Sequence, residues 1–200
     1  MAPARGRPRE FDQASALDGA LRIFWMRGLA ATSVDDLAAA MGLSKPSLYN
    51  AFGGKAEVYR LALVEFVARM HRDVGSALAS SSELVVALNA FFDRALAVYF
   101  EASPALGCFA MCTAAGEAGV NEEIREDLFR VIQDVDGMLA KRFALARDVG
   151  QLPDDADVVL LGRLTQGLLH SVALRARAGA SRASLQRFAR GAVRLLCAGA

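Results

Sequence analysis

Apolar residues recur at three- and four-residue spacing along almost the whole chain, with no strict alternation of useful length. That is the period of helices with one buried face, and it predicts an all-α protein. The first helix is expected over 12–27, where Leu17, Ala20, Leu21 and Phe24 fall on one face and Gly28 supplies the stop. A second is expected over 34–41, with Ser33 as N-cap and Asp36 three residues on, as in a capping box. Val34, Leu37, Ala38 and Met41 form its apolar face, and Gly42 follows it. The third is short, 45–52, with Ser44 as N-cap and Pro46 in the first turn, where no intrahelical N–H bond is lost. Gly53 and Gly54 close it, and a long fourth helix is expected over 55–79. The serines at 80–82 read as a linker. Further helices follow over 83–102, 105–118, 121–148, 154–178 and 182–198, about nine in all.

Residues 33–52 have the form of a helix-turn-helix, two short helices meeting across a Gly-Leu-Ser turn. Ala38 is small where the helices approach, Gly42 can take the positive φ of the turn, and Leu37, Leu43 and Leu48 can share a core. Lys45, Ser47, Tyr49 and Asn50 are then left facing outward. A cation, a hydroxyl, a phenol and an amide can address phosphates or base edges, and a helix fits the major groove.

Composition narrows the function. The net charge is +1, which excludes an overall basic coat, but the sign is uneven. Residues 1–60 carry eight basic and six acidic groups, and the rest carry fifteen and sixteen. Arg5, Arg7 and Arg9 have no acid among the first nine residues. Such a basic end suits a polyanion. Three cysteines and two histidines are too few for a disulfide framework or a zinc site, so neither metal nor cofactor is expected. No apolar run has the roughly 18 residues of a membrane span, and the N-terminus lacks a secretory pattern. A cytoplasmic protein is expected, without a membrane partner. No phosphate loop, HExxH or GxSxG is present, so no catalytic residues are assigned and an enzyme is not expected.

The first sixty residues resemble the TetR/AcrR family of bacterial transcriptional regulators. The resemblance is carried by RGRPREFD, ALRIFWMRGLAATSV, DDLAAAMGLSKPSLYNAF and GGKAEVY, in order and spacing. The tail ARAGASRASLQRFARGAVRLL is similar to the last helix pair of many members, and a GCF segment is similar to one subgroup. Two departures stand out: Ala51, where many members have His or an aromatic, and Gly54 in place of the more usual Ser. The resemblance implies a homodimer with an N-terminal DNA-binding domain, here 1–54, and a larger helical regulatory and dimerisation domain, 55–200. It implies a repressor, found with the nucleoid when bound, that is released from a palindromic double-stranded operator by a small apolar or amphipathic ligand.

On that reading Arg5 and Arg7 reach an adjacent minor groove, where narrow A·T-rich tracts attract arginine. Thr32 and Ser33 meet phosphate at the N-terminus of the second helix. Lys55 grips the backbone as a point charge. Ser44, Lys45, Pro46, Ser47, Tyr49 and Asn50 form the reading surface, and the resemblance implies that Tyr49 meets phosphate more often than base. The two copies of the third helix would stand about 34–36 Å apart on a palindrome.

The last two helices are apolar on more than one face. Leu161, Leu164, Leu168, Leu185, Phe188 and Ala192 are the expected four-helix dimer interface. Candidate ligand contacts are His71, Phe92, Tyr99, Cys108, Phe109, Cys112, Gln133, Gln166 and His170, polar or soft residues in apolar helices. Phe91, Phe100, Met111, Phe129, Met138 and Phe143 are further large side chains, core or cavity wall. Gln166 and His170 share a face at i, i+4. Cys108 and Cys112 share the same spacing and leave two readings open, buried small hydrophobes or a thiol that senses oxidants or electrophiles. The nearest downstream cation is Arg125.

Overall fold

A computed structural model describes residues 12–198 of the chain, and among these every regular element is a helix. The chain forms two compact units, one up to Ala62 and one from Leu63 onward.

The first unit holds α1 (Gln13–Arg27), α2 (Val34–Ala40), α3 (Lys45–Phe52) and the opening turns of α4 (Lys55–Asp73). The caps follow the sequence. Asp12, Ser33 and Ser44 each accept a backbone N–H of the first turn of α1, α2 and α3 respectively. After α2, the Leu43 N–H donates to the Ala38 carbonyl at 2.9 Å and the Gly42 N–H to that of Ala39 at 3.1 Å. These two bonds make a Schellman turn, which needs the left-handed φ of +67° that Gly42 supplies. Phe24, Leu37, Leu48, Val58 and Tyr59 are fully enclosed, with the Phe24 and Tyr59 rings edge to face at 5.3 Å. Gly19 is the tightest point. A Cβ there would lie 2.1 Å from the Ala40 carbonyl oxygen, so only glycine lets α1 rest on the end of α2.

In the second unit α4 ends at Asp73, earlier than the periodicity predicts, and a 3-10 turn over Gly75–Ala79 follows. Gly75, a poor helix former, opens that turn. A Cβ on Gly75 would sit 3.0 Å from Met138 Sδ, and Ser80 bonds back to the Ala77 carbonyl at 2.6 Å. The next elements are α5 (Leu84–Tyr99), α6 (Ala115–Glu117), α7 (Glu122–Asp148), α8 (Val158–Arg177) and α9 (Arg182–Ala198). The helix expected over 105–118 is largely replaced. Its first part is irregular chain up to Cys108, and a widened π turn over Ala110–Ala114 leads into the single turn of α6. Thr113 donates to the Phe109 carbonyl at 2.7 Å within that turn.

The core of this unit is Phe66, Phe91, Phe92, Phe109 and Phe143, all essentially inaccessible. Phe129 instead points outward, 59% exposed, so it belongs to neither core nor cavity. Gly162 brings α8 against α7, where a Cβ would stand 3.0 Å from the Ala140 nitrogen. Two side chains bind the linker between the 3-10 turn and α5. Gln151 accepts from the Leu84 N–H at 2.7 Å and donates to Ser82 O at 2.8 Å. Arg142 donates to the carbonyls of Leu78, Ser81 and Ser82 at 3.0, 3.3 and 3.0 Å.

Candidate functional site

Burial of Leu48 and Phe52 fixes which way α3 faces. Ser44, Lys45, Pro46, Ser47, Tyr49 and Asn50 are then all exposed, as one continuous polar surface along a helix held at both ends. Ser44 and Ser47 share a hydroxyl–hydroxyl bond of 2.8 Å, and the Ser47 N–H donates to Ser44 Oγ at 3.2 Å. The Lys45 ammonium rests on Asp35 of α2 at 2.7 Å, in a solvent-exposed pair. Such pairs contribute little, about 0–1 kcal/mol, so Lys45 is readily drawn to another anion. The Tyr49 ring, half exposed, packs beside Gly54. A Cβ on Gly54 would meet that ring at an ordinary 3.7 Å. The φ of +148°, rather than space, accounts for glycine here.

Two expected phosphate contacts are placed otherwise. Thr32 is fully buried and its hydroxyl donates to the Gly28 carbonyl at 2.6 Å, closing the loop between α1 and α2. Lys55 directs its ammonium to the carbonyls of Leu29 and Thr32 at 2.9 and 2.8 Å. It is a strap between α4 and that loop. Ser33 donates to the Asp36 carboxylate at 2.8 Å and accepts the Asp36 N–H at 3.1 Å. The Ser33 hydroxyl, helped by Arg27 at 3.1 Å, holds the Asp36 carboxyl below its ordinary value. Arg5 and Arg7 lie outside the described residues.

In the second unit, five of the expected ligand contacts converge. His71, Tyr99, Cys108, Gln166 and His170 line one small inner cavity of about 50 Å³, with Phe66, Met70, Met111 and Leu169 among its apolar walls. Gln166 Nε2 donates to the Ile132 carbonyl at 3.2 Å. Burial lowers the His170 pKa, against the opposing effect of Asp136, so its neutral form is favoured. The Tyr99 hydroxyl is buried without an ordinary hydrogen bond, close to the Cys108 thiol, and burial pushes its pKa well up. Phe92 and Phe109 are core residues, essentially inaccessible, and do not line this cavity. Gln133 lies on an outer groove instead.

The cysteines are not on one helix. Cys108 precedes the π turn, and its carbonyl accepts the Cys112 N–H at 2.8 Å. Burial raises the Cys108 thiol to about 11, which suits a small hydrophobe and not a thiolate sensor. Burial also raises Cys112, partly offset by Arg177. That arginine, sixty-five positions along the chain, is the nearby cation that local sequence did not reveal. It donates to the Leu106 carbonyl at 3.1 Å.

On α8 and α9, Leu161, Leu164, Leu168 and Ala192 line an apolar groove of about 370 Å³ with Leu195 and Leu196. Leu185 is 2% exposed and packs inside the subunit, so it leaves the expected interface. Leu160 and Leu195, outside the expected interface set, are 51% and 76% exposed, and Phe188 is partly covered by the Arg175 guanidinium at 5.4 Å.

A capped recognition helix with a polar outer face, set against a second helix by a Schellman turn, defines a helix-turn-helix DNA-binding protein. Residues 16–62 match the family model for bacterial regulatory proteins of the tetR family, and 85–192 match the tetracyclin repressor-like C-terminal domain. The chain belongs to the TetR family and is a DNA-binding transcriptional regulator, not an enzyme. It is 29% identical over 195 residues to the HTH-type transcriptional repressor ComR of Escherichia coli, covering 96% of this chain and 92% of that one. Among solved structures it is similar to a cysteine-substituted TetR family regulator, CifR, in complex with a 26-base-pair operator duplex. The TM-score is 0.84 at 26% identity, over 94% of this chain and 98% of that one. The reduced form of E. coli NemR shares the fold, with a TM-score of 0.79 at 17% identity over 90% and 93% of the two chains.

Proposed function

We propose that the chain is a repressor that binds a palindromic double-stranded operator as a homodimer and is released by a small molecule held in its regulatory part. The observation that carries this reading is the outward face of α3. Lys45, Ser47, Tyr49 and Asn50 are exposed on it while Leu48 and Phe52 anchor the helix from behind. Lys45 then exchanges Asp35 for a phosphate or base edge, and Ser44, Pro46 and the Ser33 end of α2 lie alongside. The domain assignment is 1–54 for reading and 55–200 for regulation, with the first turns of α4 packed into the reading unit. Arg5 and Arg7 add a minor-groove arm. Support also comes from the operator complex of CifR and from ComR, a repressor.

Dimerisation rests on the apolar outer face of α8 and α9, chiefly Leu160, Leu164, Leu168, Phe188, Ala192 and Leu195. Covering one half-exposed leucine contributes about 1 kcal/mol, and the isologous geometry doubles each contact. The released state is favoured by an uncharged, hydrogen-bonding molecule among Tyr99, Gln166, His170 and His71, in a cavity that opens further around it. A ligand shifts DNA binding only as far as its affinities for the two states differ. The protein works in the cytoplasm, on the nucleoid when bound.

The test is selection of duplexes from a random pool by the full-length protein, followed by stoichiometry in the ultracentrifuge. The expected result is an inverted repeat bound by two chains. Enrichment of no sequence, or a single chain per duplex, would overturn the reading.

A further inference from the structure

A second, larger recess lies outside the inner cavity. It is an open groove of about 740 Å³ along α7, walled on its other side by the end of α4, the 3-10 turn and the serine linker. A volume in the range of about 300–1,000 Å³ suits a small organic molecule. Its apolar wall includes Leu78, Met138, Leu145 and Val149. Leu145 and Val149 stay 62% and 69% exposed along it, at a cost to the free protein. Its charge is one-sided: Lys141 and Arg142 line it, against the single carboxylate of Asp134.

Arg142 is the unusual group. It is only 8% exposed, its guanidinium meets three backbone carbonyls, and among the described residues it makes no ion pair. The carbonyl bonds fix its position and solvate it in part, but no carboxylate balances its charge. A buried cation without a counter-ion is costly, and an anion arriving beside it recovers that cost.

We propose that this groove binds an amphipathic organic anion, its head between Lys141 and Arg142 and its apolar chain along Met138, Leu145 and Val149. A cation would meet two positive charges, and a neutral alcohol would leave both unanswered. The site is separate from the inner cavity, although His71 belongs to both walls.

The test is titration calorimetry of the full-length protein with decanoate, decanol and decyltrimethylammonium, the two ions below their micelle concentrations and the alcohol below its solubility limit. Decanoate is expected to bind saturably, one per chain, at least about tenfold tighter than the other two. Lys141→Gln removes an exposed cation without touching the carbonyl bonds and is expected to weaken decanoate about fivefold, and Leu145→Ser by a similar factor. No decanoate binding, equal binding of the three probes, or wild-type affinity in both groove variants would overturn the proposal. So would loss of binding in His170→Ala alone, which would move the molecule to the inner cavity. Dissociation of the dimer in Leu145→Ser would also overturn it, assigning the groove to a second copy.

Discussion

Replacing Lys55 with methionine removes the strap that joins α4 to the loop between α1 and α2 while keeping the length of the side chain. Two hydrogen bonds from the ammonium are lost, to Leu29 O at 2.9 Å and Thr32 O at 2.8 Å. A bond to a charged donor contributes about 1.5–3 kcal/mol, and the half-buried setting argues for the lower end of each. The methionine stem retains most of the apolar contact. The net expectation is a loss of about 2–3 kcal/mol from the first unit. The assay is ready-made: Trp25, the single tryptophan, is 5% exposed inside that unit, so its fluorescence in urea reports this transition directly. The midpoint should fall with little change in slope, while the salt dependence of DNA binding by the folded protein stays near wild type. An unchanged midpoint with a salt slope shallower by about two per dimer would show that Lys55 is a phosphate contact after all and that the strap is worth nothing.

Gly19→Ala places a methyl 2.1 Å from the Ala40 carbonyl oxygen and should destabilise the first unit by about 2–3 kcal/mol, read by the same fluorescence; a neutral result would refute the close approach of α1 to α2. Ser33→Ala removes the cap of α2 and should cost about 1 kcal/mol. Because the folded Asp36 carboxyl titrates below its unfolded value, its contribution is present above the unfolded pKa and lost as pH falls through the folded one. Ser33→Ala should shrink that acid-sensitive part. His170 has a folded pKa below its unfolded value, so stability of the second unit should fall as pH drops below the ordinary histidine range, and His170→Gln should flatten this dependence. A folded His170 titrating above that range by NMR would contradict it. In native-state alkylation at pH 8, Cys108 should react last of the three cysteines, since its thiol stays protonated up to about 11. Mass spectrometry that finds Cys108 labelled first would contradict its burial.

What the sequence made legible is what local chemistry decides. The limits of α3 follow from Ser44, Pro46 and Gly53, all within ten residues, and its observed span is the expected one. The Schellman turn follows from Gly42 in the same way. What escaped depends on distant partners. Lys55 has the composition of a phosphate contact, and only the carbonyls of Leu29 and Thr32, more than twenty residues earlier, reveal its structural use. Apolar periodicity runs on past the end of α4 at Asp73, so it could not mark the break before the 3-10 turn at Gly75. Cys112 gains a cation from Arg177, and Arg142 gains its carbonyl partners from a linker some sixty positions earlier. Helical periodicity showed α8 and α9 to be apolar on several faces. It could not say that Leu185 turns inward while Leu160 and Leu195 turn out.

The central claim, that the outer face of α3 reads DNA twice over, is tested most directly by the affinity for a mixed-sequence duplex measured across a range of salt concentrations, for the wild type and for Lys45→Ala. A straight, steep log–log dependence is predicted for the wild type, with the variant shallower by about two because each of two chains gives up one contact. Identical slopes for the two proteins, or a wild-type affinity indifferent to salt, would contradict it.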